Sequence, residues 1–301
     1  MHTKGAKTMV KHQPKVSVIF PIRNEGKNVK MTLDSLFSVQ TNLDLEAILV
    51  DDGSTDGCCD FLSTYQNKLR VKYISTQGLG PAKARNVGAS RSKHPYLAFC
   101  DAHMTFEDFW LDRLVFFLTS GYSDAVCPAI GSIDDPKVIG YGQSLTPSLK
   151  IKWNQKRKAL FETAILPGAC IVTSRKAFED IGGFEDGFSS WGFEDVELSI
   201  KFWLFGYRCH CEPNVTVLHL FRAAHPYKVN YEGIYYNLIR MAYLHFDEAR
   251  IRKAKSLVIH GSHSKIEKKV LADGVLEKRA RYSRRRQRQV DDLFRKFSIY
   301  F

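Results

Sequence analysis

Asp101-Ala102-His103 ends the short apolar run at residues 96–100. On extended backbone, residues two apart point the same way, so this carboxylate and this imidazole can grip one ion at a sheet edge. Oxygen and nitrogen ligands together suit Mn²⁺, and less specifically Mg²⁺ or Zn²⁺. A third ligand is needed, and His219 in the apolar run at 214–221 is the candidate. The competing reading makes His103 a structural histidine at a strand end and His219 a core residue alternating with Val217.

Asp51 and Asp52 follow the run at 45–50. A carboxylate placed there can accept a hydrogen bond from a base N–H or a ribose hydroxyl; the plainer alternative is capping of the turn. Arg85 sits in K-A-R-N-V-G-A on a predicted helix, where it either brings a cation to phosphate or belongs to a solvated face. Trp191-Gly192-Phe193-Glu194-Asp195 places an indole and two acids at one helix start. That set is either an acidic first turn with a core tryptophan or a sugar-sized site. In the second case the indole offers an apolar face, and Glu194 and Asp195 accept hydroxyl hydrogen bonds or a proton.

Apolar runs at 16–22, 45–50, 71–75 and 96–100 read as buried strands. Helical spacing over 27–39, with Val29, Leu33, Leu36 and Phe37 on one side, separates the first pair. A helix from about Asp56 is predicted after the D-D-G-S-T-D-G turn, and another near 81–90. Alternating strands and helices imply a parallel sheet covered on both faces, with its ligand beyond the carboxyl ends of the strands. Those ends carry polar chemistry: Arg23 and Glu25, Asp51 and Asp52, Gln77, then Asp101 and His103. A G-x-G-x-x-G fingerprint is absent, which disfavours a dinucleotide fold. The second half reads as strands at 124–131, 169–174 and 214–221, with a helix over 191–206.

The 301 residues carry a net charge of +12. From Arg250 onward there are 16 Lys/Arg against 5 Asp/Glu, and before it 28 against 27. The body is balanced and the tail cationic, so the high isoelectric point does not mark a nucleic-acid binder. The tail is expected either as a solvated helical surface or as a contact for an anionic membrane face. No apolar run approaches the ~20 residues that cross a bilayer. No apolar segment follows the basic N-terminus as in a signal peptide. Seven scattered cysteines fit a reduced chain. Together these lead us to expect a cytoplasmic protein, peripheral at the inner membrane face.

The motifs V-S-V-I-F-P-I-R-N-E, V-D-D-G-S-T-D, A-R-N-V-G-A, D-A-H, W-G-F-E-D-V-E and H-L-F-R-A-A-H-P-Y occur in that order. The chain resembles a family 2 glycosyltransferase of GT-A fold over about residues 15–230. It is most similar to the catalytic domain of polypeptide N-acetylgalactosaminyltransferases. The resemblance implies a Rossmann-like nucleotide-diphospho-sugar transferase sheet with flanking helices. Residues 1–14 would form an extension and 231–301 a basic helical region. It also implies that Asp101, His103 and His219 hold Mn²⁺, or Mg²⁺, against the diphosphate of a UDP-sugar. Pro21 and Asp52 fall where the family holds uridine, and Arg23, Glu25 and Arg85 join them around the donor. Gly168 lies in the donor-pocket loop and Trp191, Glu194 and Asp195 beside the sugar. Arg222, His225 and Tyr227 match the loop that closes over the diphosphate.

Two departures qualify the likeness. The family's W-G-G-E-N is W-G-F-E-D here, so a carboxylate, Asp195, replaces an amide. Inverting family 2 enzymes use such an Asp as general base, and the expectation is transfer to a protein, peptide or glycan acceptor with inversion at Asp195. The alternative is a retaining enzyme, or, in another class, a non-catalytic nucleotide-sugar or surface-binding protein. The second departure is a C-terminal region too short and too basic for the family's lectin domain. With the missing N-terminal anchor, it points to a bacterial enzyme.

Overall fold

The computed structural model describes residues 13–301 other than Ser189, Ala223, His225 and Lys228. Strands β1 (Lys15–Ile22), β2 (Asp44–Asp52), β3 (Val71–Thr76) and β4 (Tyr96–Cys100) run parallel, as the continuous apolar sequences of β1, β2 and β4 imply; β3, expected to be buried, is instead a largely solvent-facing strand at the end of the sheet path. The remaining strands are β5 (Met104–Thr105), β6 (Ala125–Ser132), β7 (Ile139–Leu145), β8 (Ile151–Asn154), β9 (Phe161–Glu162), β10 (Cys170–Ser174) and β11 (Cys209–His219). The main path of the sheet is β3-β2-β1-β4-β10-β6-β11-β5, with the β7–β8 hairpin attached to β6.

The sheet is not wholly parallel. β10 runs antiparallel to both β4 and β6, with Cys170 opposite Cys100. The chain reaches β10 along the carboxyl edge of the sheet, where the Asp101 amide donates to the Ala169 carbonyl at 3.0 Å. β10 therefore begins where β4 ends, and Gly168 comes to lie beside Asp101.

Residues alternate between two apolar layers along β1. Val18 and Phe20 face helices α1 (Asn28–Ser38) and α3 (Trp110–Thr119). Ile19 faces α2 (Pro81–Arg91) and a larger core that includes α5 (Glu194–Leu204). Helix α2 packs close because residue 88 is glycine: a Cβ there would stand 2.4 Å from Ile19 Cγ2. No α-helix starts at Asp56; short 3₁₀ turns occupy 60–64 and 68–70 instead. The Asp56 carboxylate accepts from the amides of Gly26 (2.8 Å) and Cys58 (3.1 Å), so it pins this loop to the end of β1 rather than capping a helix.

After α4 (Arg175–Asp180) and α5, five helices complete the chain: α6 (Tyr231–His245), α7 (Glu248–Ser256), α8 (His263–Ala272), α9 (Val275–Arg285) and α10 (Val290–Lys296). They are no loose cationic surface. Leu238, Ile239, Val270, Val275 and Phe294 share one apolar core with α5 and the sheet. Many of the tail's cations are turned inward. Arg279 donates to the carbonyls of Tyr243 and Phe246, both at 2.7 Å, and Arg286 to that of Leu244. Guanidinium groups thus close the C-terminal end of α6, where unpaired carbonyls and the helix dipole favour a cation. Among the described residues no helix is long and apolar enough to cross a membrane.

Candidate active site

The carboxyl ends of β1, β2, β4 and β11 and the N-terminus of α5 surround a cleft of about 1050 Å³. Pro21, Arg23, Glu25, Asp52, Arg85, Asp101, His103, Gly168, Trp191, Glu194, Asp195, His219, Arg222 and Tyr227 border it. Asp51 does not: its carboxylate accepts from the Ser54 amide (2.9 Å) and the Tyr73 hydroxyl (2.8 Å), as the capping reading expected. His225 lies outside the described residues.

At its centre His103 Nε2 stands 3.0 Å from His219 Nε2, which is 3.3 Å from Asp101 Oδ2. One ligand atom from each of the three residues falls within a 4.8 Å span. His219 ends β11 opposite Met104, and the Leu220 amide donates to the His103 carbonyl at 3.0 Å, which brings the two imidazoles together edge-on, their planes inclined by 60°. Behind them the Glu25 carboxylate lies 3.1 Å from His103 Nδ1. That contact holds the ring tautomer in which Nε2 offers its lone pair to the centre. His219 Nδ1 is buried with no hydrogen-bond partner among the described residues. One carboxylate oxygen and two converging imidazole nitrogens fit a divalent cation of the Mn²⁺ type, with Mg²⁺ the less suited alternative.

The surrounding charges reinforce this arrangement. Burial alone would raise the Asp101 pKa, but the His219 hydrogen bond and the Arg85, His103 and His219 charges hold it well below the usual carboxylate range. Glu25 is also held low, since hydrogen bonds from His103 and Arg222 outweigh its burial. Arg222 pairs with Glu25 through both guanidinium Nη atoms. The Arg23 guanidinium lies over the Tyr227 ring at 5.7 Å.

Arg85 is not on a solvated face. It is 4% exposed, and its Nη2 donates to Asp101 Oδ1 (2.9 Å) and the Gly168 carbonyl (3.3 Å). Its Nη1 reaches Glu194 Oε1 at 3.4 Å. Glu194 also accepts from the Gly192 amide at 2.7 Å. Burial pushes Glu194 up to about 7, with the Asp195 charge adding to the rise and Arg85 opposing it. Asp195 is raised by burial as well, although the amides of Gly168 (3.0 Å) and Val196 (2.9 Å) donate to its two oxygens. Gly168 packs tightly on this carboxylate: a Cβ there would sit 3.1 Å from Asp195 Oδ2. Trp191 is 41% exposed at the cleft, which removes the reading of a core tryptophan.

Asp52 works differently from a simple turn cap. Its oxygens accept from Thr76 Oγ1 (2.8 Å) and the amides of Leu79 and Gly80 (2.7 Å each). It thereby shapes the loop entering α2 as well as bordering the cleft with Pro21.

One contributor is missing from the sequence reading. Asn237, fully buried on α6, donates both Nδ2 hydrogens to the carbonyls of Ser190 (2.9 Å) and Gly192 (2.8 Å). Three residues on, Arg240 Nε pairs with buried Glu185 at 2.9 Å. Helix α6 therefore holds the loop that presents Trp191, Glu194 and Asp195. The available signal was a polar pair at i, i+3 inside an otherwise apolar stretch of helix.

Residues 153–228 match a family described as the N-terminal domain of galactosyltransferase. Polypeptide N-acetylgalactosaminyltransferase 8 of Drosophila melanogaster is 32% identical over 73% of this chain and 40% of its own length. The human polypeptide N-acetylgalactosaminyltransferase 10 is 27% identical over 81% of this chain and 44% of its own. The chain thus spans about two-fifths of the length of these curated relatives. Among solved structures, GalNAc-T7 with UDP, GalNAc and Mn²⁺ superposes with a TM-score of 0.70 at 21% identity, over 86% of this chain and 54% of that one. S. aureus TarS 1–349 with UDP-GlcNAc gives a TM-score of 0.60 at 19% identity, over 87% and 81%. These two likenesses establish the GT-A fold. With residues 17–182 matching the family described as Glycosyl transferase family 2, the chain belongs to that family and is a glycosyltransferase.

Proposed function

We propose that the chain moves a hexose or N-acetylhexosamine from a UDP-sugar to a hydroxyl of a protein, peptide or glycan acceptor, using a divalent cation held by Asp101, His103 and His219. The observation that carries this reading is the convergence of those side chains in the cleft, with Glu25 orienting His103. The descriptions of similar structures, one with UDP, GalNAc and Mn²⁺ and one with UDP-GlcNAc, support the donor class. When bound, a cation at this position supplies positive charge where the leaving diphosphate becomes more negative.

The chain's own residues do the rest. Arg222 provides a second positive charge beside the cation-binding residues. Arg85 ties Asp101 to Glu194 and so sets the spacing between the diphosphate end and the sugar end of the site. The Trp191 indole offers an apolar face to a sugar ring. Asp195 takes the proton from the acceptor hydroxyl as that oxygen attacks the anomeric carbon, and the carbon–oxygen bond to UDP breaks. Burial makes this carboxylate more basic, and the Gly168 and Val196 amides fix its direction. This path inverts the anomeric centre.

A retaining path is favoured by one observation: both Asp195 oxygens already accept backbone hydrogens, a role that the amide oxygen of the family's Asn can partly fill. Incubation with a panel of UDP-sugars, with Mn²⁺ present or chelated, tests the transferase reading. NMR of the product then separates the two paths. A β-linked product from an α-linked donor supports Asp195 as base, and an α-linked product removes that role. Turnover indifferent to chelation and to Asp101→Ala removes the cation.

A further inference from the structure

Beyond the donor site, the cleft opens between two segments distant in sequence. One wall is the turn and strand around β8, with Lys150, Ile151 and Trp153; the other is the end of α7, with Ser256, Leu257 and Ile259. Both segments leave apolar groups in solvent. Ile151 is 42%, Trp153 37% and Ile259 76% exposed. Both also lie in stretches without a single acid, from Pro136 to Phe161 and from Ala249 to Ile266. Lys150, Lys152, Lys156, Arg157 and Lys158 are all exposed in the first of these. Their charge is not neutralised locally: Lys156 and Arg157 lie over the rings of Tyr141 and Phe161 and not against carboxylates.

Exposed Ile and Trp framed by unneutralised cations are the pattern of a surface that rests in the headgroup region of an anionic bilayer. The apolar groups enter the acyl boundary while the cations meet lipid phosphate and carboxylate. We infer that the acceptor mouth of the cleft, between the 150–158 segment and the end of α7, docks on an anionic lipid bilayer, so that the acceptor is delivered from the membrane face. An acidic peptide satisfies the cations but not Ile259 and Ile151. The α8–α9 surface is a separate cationic face: Lys265, Lys268, Lys269, Arg281 and Arg284 are exposed there, while Lys278 pairs with Glu185 and Asp186 and Arg285 with Asp180, but none of these residues borders the cleft.

The test reads vesicle binding without any donor, so it stands or falls separately from the proposed chemistry. The full chain is co-sedimented with phosphatidylcholine vesicles with and without ~30% phosphatidylglycerol. Binding is expected only to the anionic vesicles. The triple variant Lys156→Glu/Arg157→Glu/Lys158→Glu should lower it by about 100-fold and Ile259→Glu by about tenfold. The triple variant keeps wild-type turnover of UDP-sugar without vesicles, since its three side chains lie outside the donor site. Absence of wild-type binding overturns the inference. So does loss of binding in Lys265→Glu/Lys268→Glu/Arg281→Glu/Arg284→Glu while the 156–158 variant still binds. Capture of a short poly-glutamate peptide in place of vesicles, abolished by the 156–158 variant, assigns the surface to an acidic chain and equally overturns it.

Discussion

His103 and His219 face each other Nε2 to Nε2 across 3.0 Å, although 116 positions separate them. Two imidazole nitrogens with a carboxylate oxygen alongside are a pre-arranged ligand set, and the protein maintains it by pairing β5, just beyond the end of β4, with the end of β11.

Glu25 should control how well that set binds. Glu25→Gln keeps the shape but removes the anion that holds the His103 proton on Nδ1 and pairs with Arg222. The Mn²⁺ concentration giving half-maximal turnover should rise about 10- to 100-fold. An unchanged requirement would mean that Glu25 only anchors Arg222.

Asp195→Asn distinguishes a base from a scaffold. The amide oxygen can still accept from Gly168 or Val196, so UDP affinity should hold while kcat falls by roughly 10²- to 10⁴-fold. A kcat within a few-fold of wild type would assign Asp195 to positioning.

Asn237 lies on α6 and acts through the loop it holds. Asn237→Leu removes the donors to the Ser190 and Gly192 carbonyls and should lower stability by about 1–3 kcal/mol in urea unfolding. The distinguishing readout is kinetic: KM for the UDP-sugar should rise about tenfold while affinity for UDP alone stays constant, because the displaced loop carries the sugar side of the site. Equal losses in both would mark a general structural defect.

His245 makes stability depend on acid. It is buried against Glu197 at 2.8 Å, and burial pushes its pKa down to about 4, with Arg286 and Lys201 adding to the fall and Glu197 opposing it. The folded chain therefore keeps this ring neutral while the unfolded chain protonates it near pH 6.5. Its contribution is fully present above that value and is lost as pH falls towards about 4. Urea midpoints should correspond to about 2 kcal/mol less stability at pH 5 than at pH 7, a slope that His245→Gln flattens.

Much of the site was legible because its residues sit where strand patterns end. Asp101 and His103 follow an apolar run whose end defines a ligand-facing edge, and His219 lies near the end of another. The antiparallel β10 was not legible, since periodicity marks a strand but not its direction. No α-helix starts at Asp56; its carboxylate accepts from Cys58 in a local turn and from Gly26, 30 positions away, a contact no local pattern encodes. The short strands β7 and β8 carry Gly, Ser and Lys and lack a clear period. The packing of the basic tail was not legible: sequence counts its cations but cannot show that Arg279 and Arg286 cap α6. Asn237 was hidden for the same reason, as its partners are carbonyls 45 and 47 positions away.

The most direct test is calorimetric titration of Mn²⁺ into the chain with UDP present, for the native sequence and for His219→Ala. The account predicts one Mn²⁺ per native chain and at least a 100-fold weaker interaction in the variant. Equal Mn²⁺ affinity in the two proteins would contradict it.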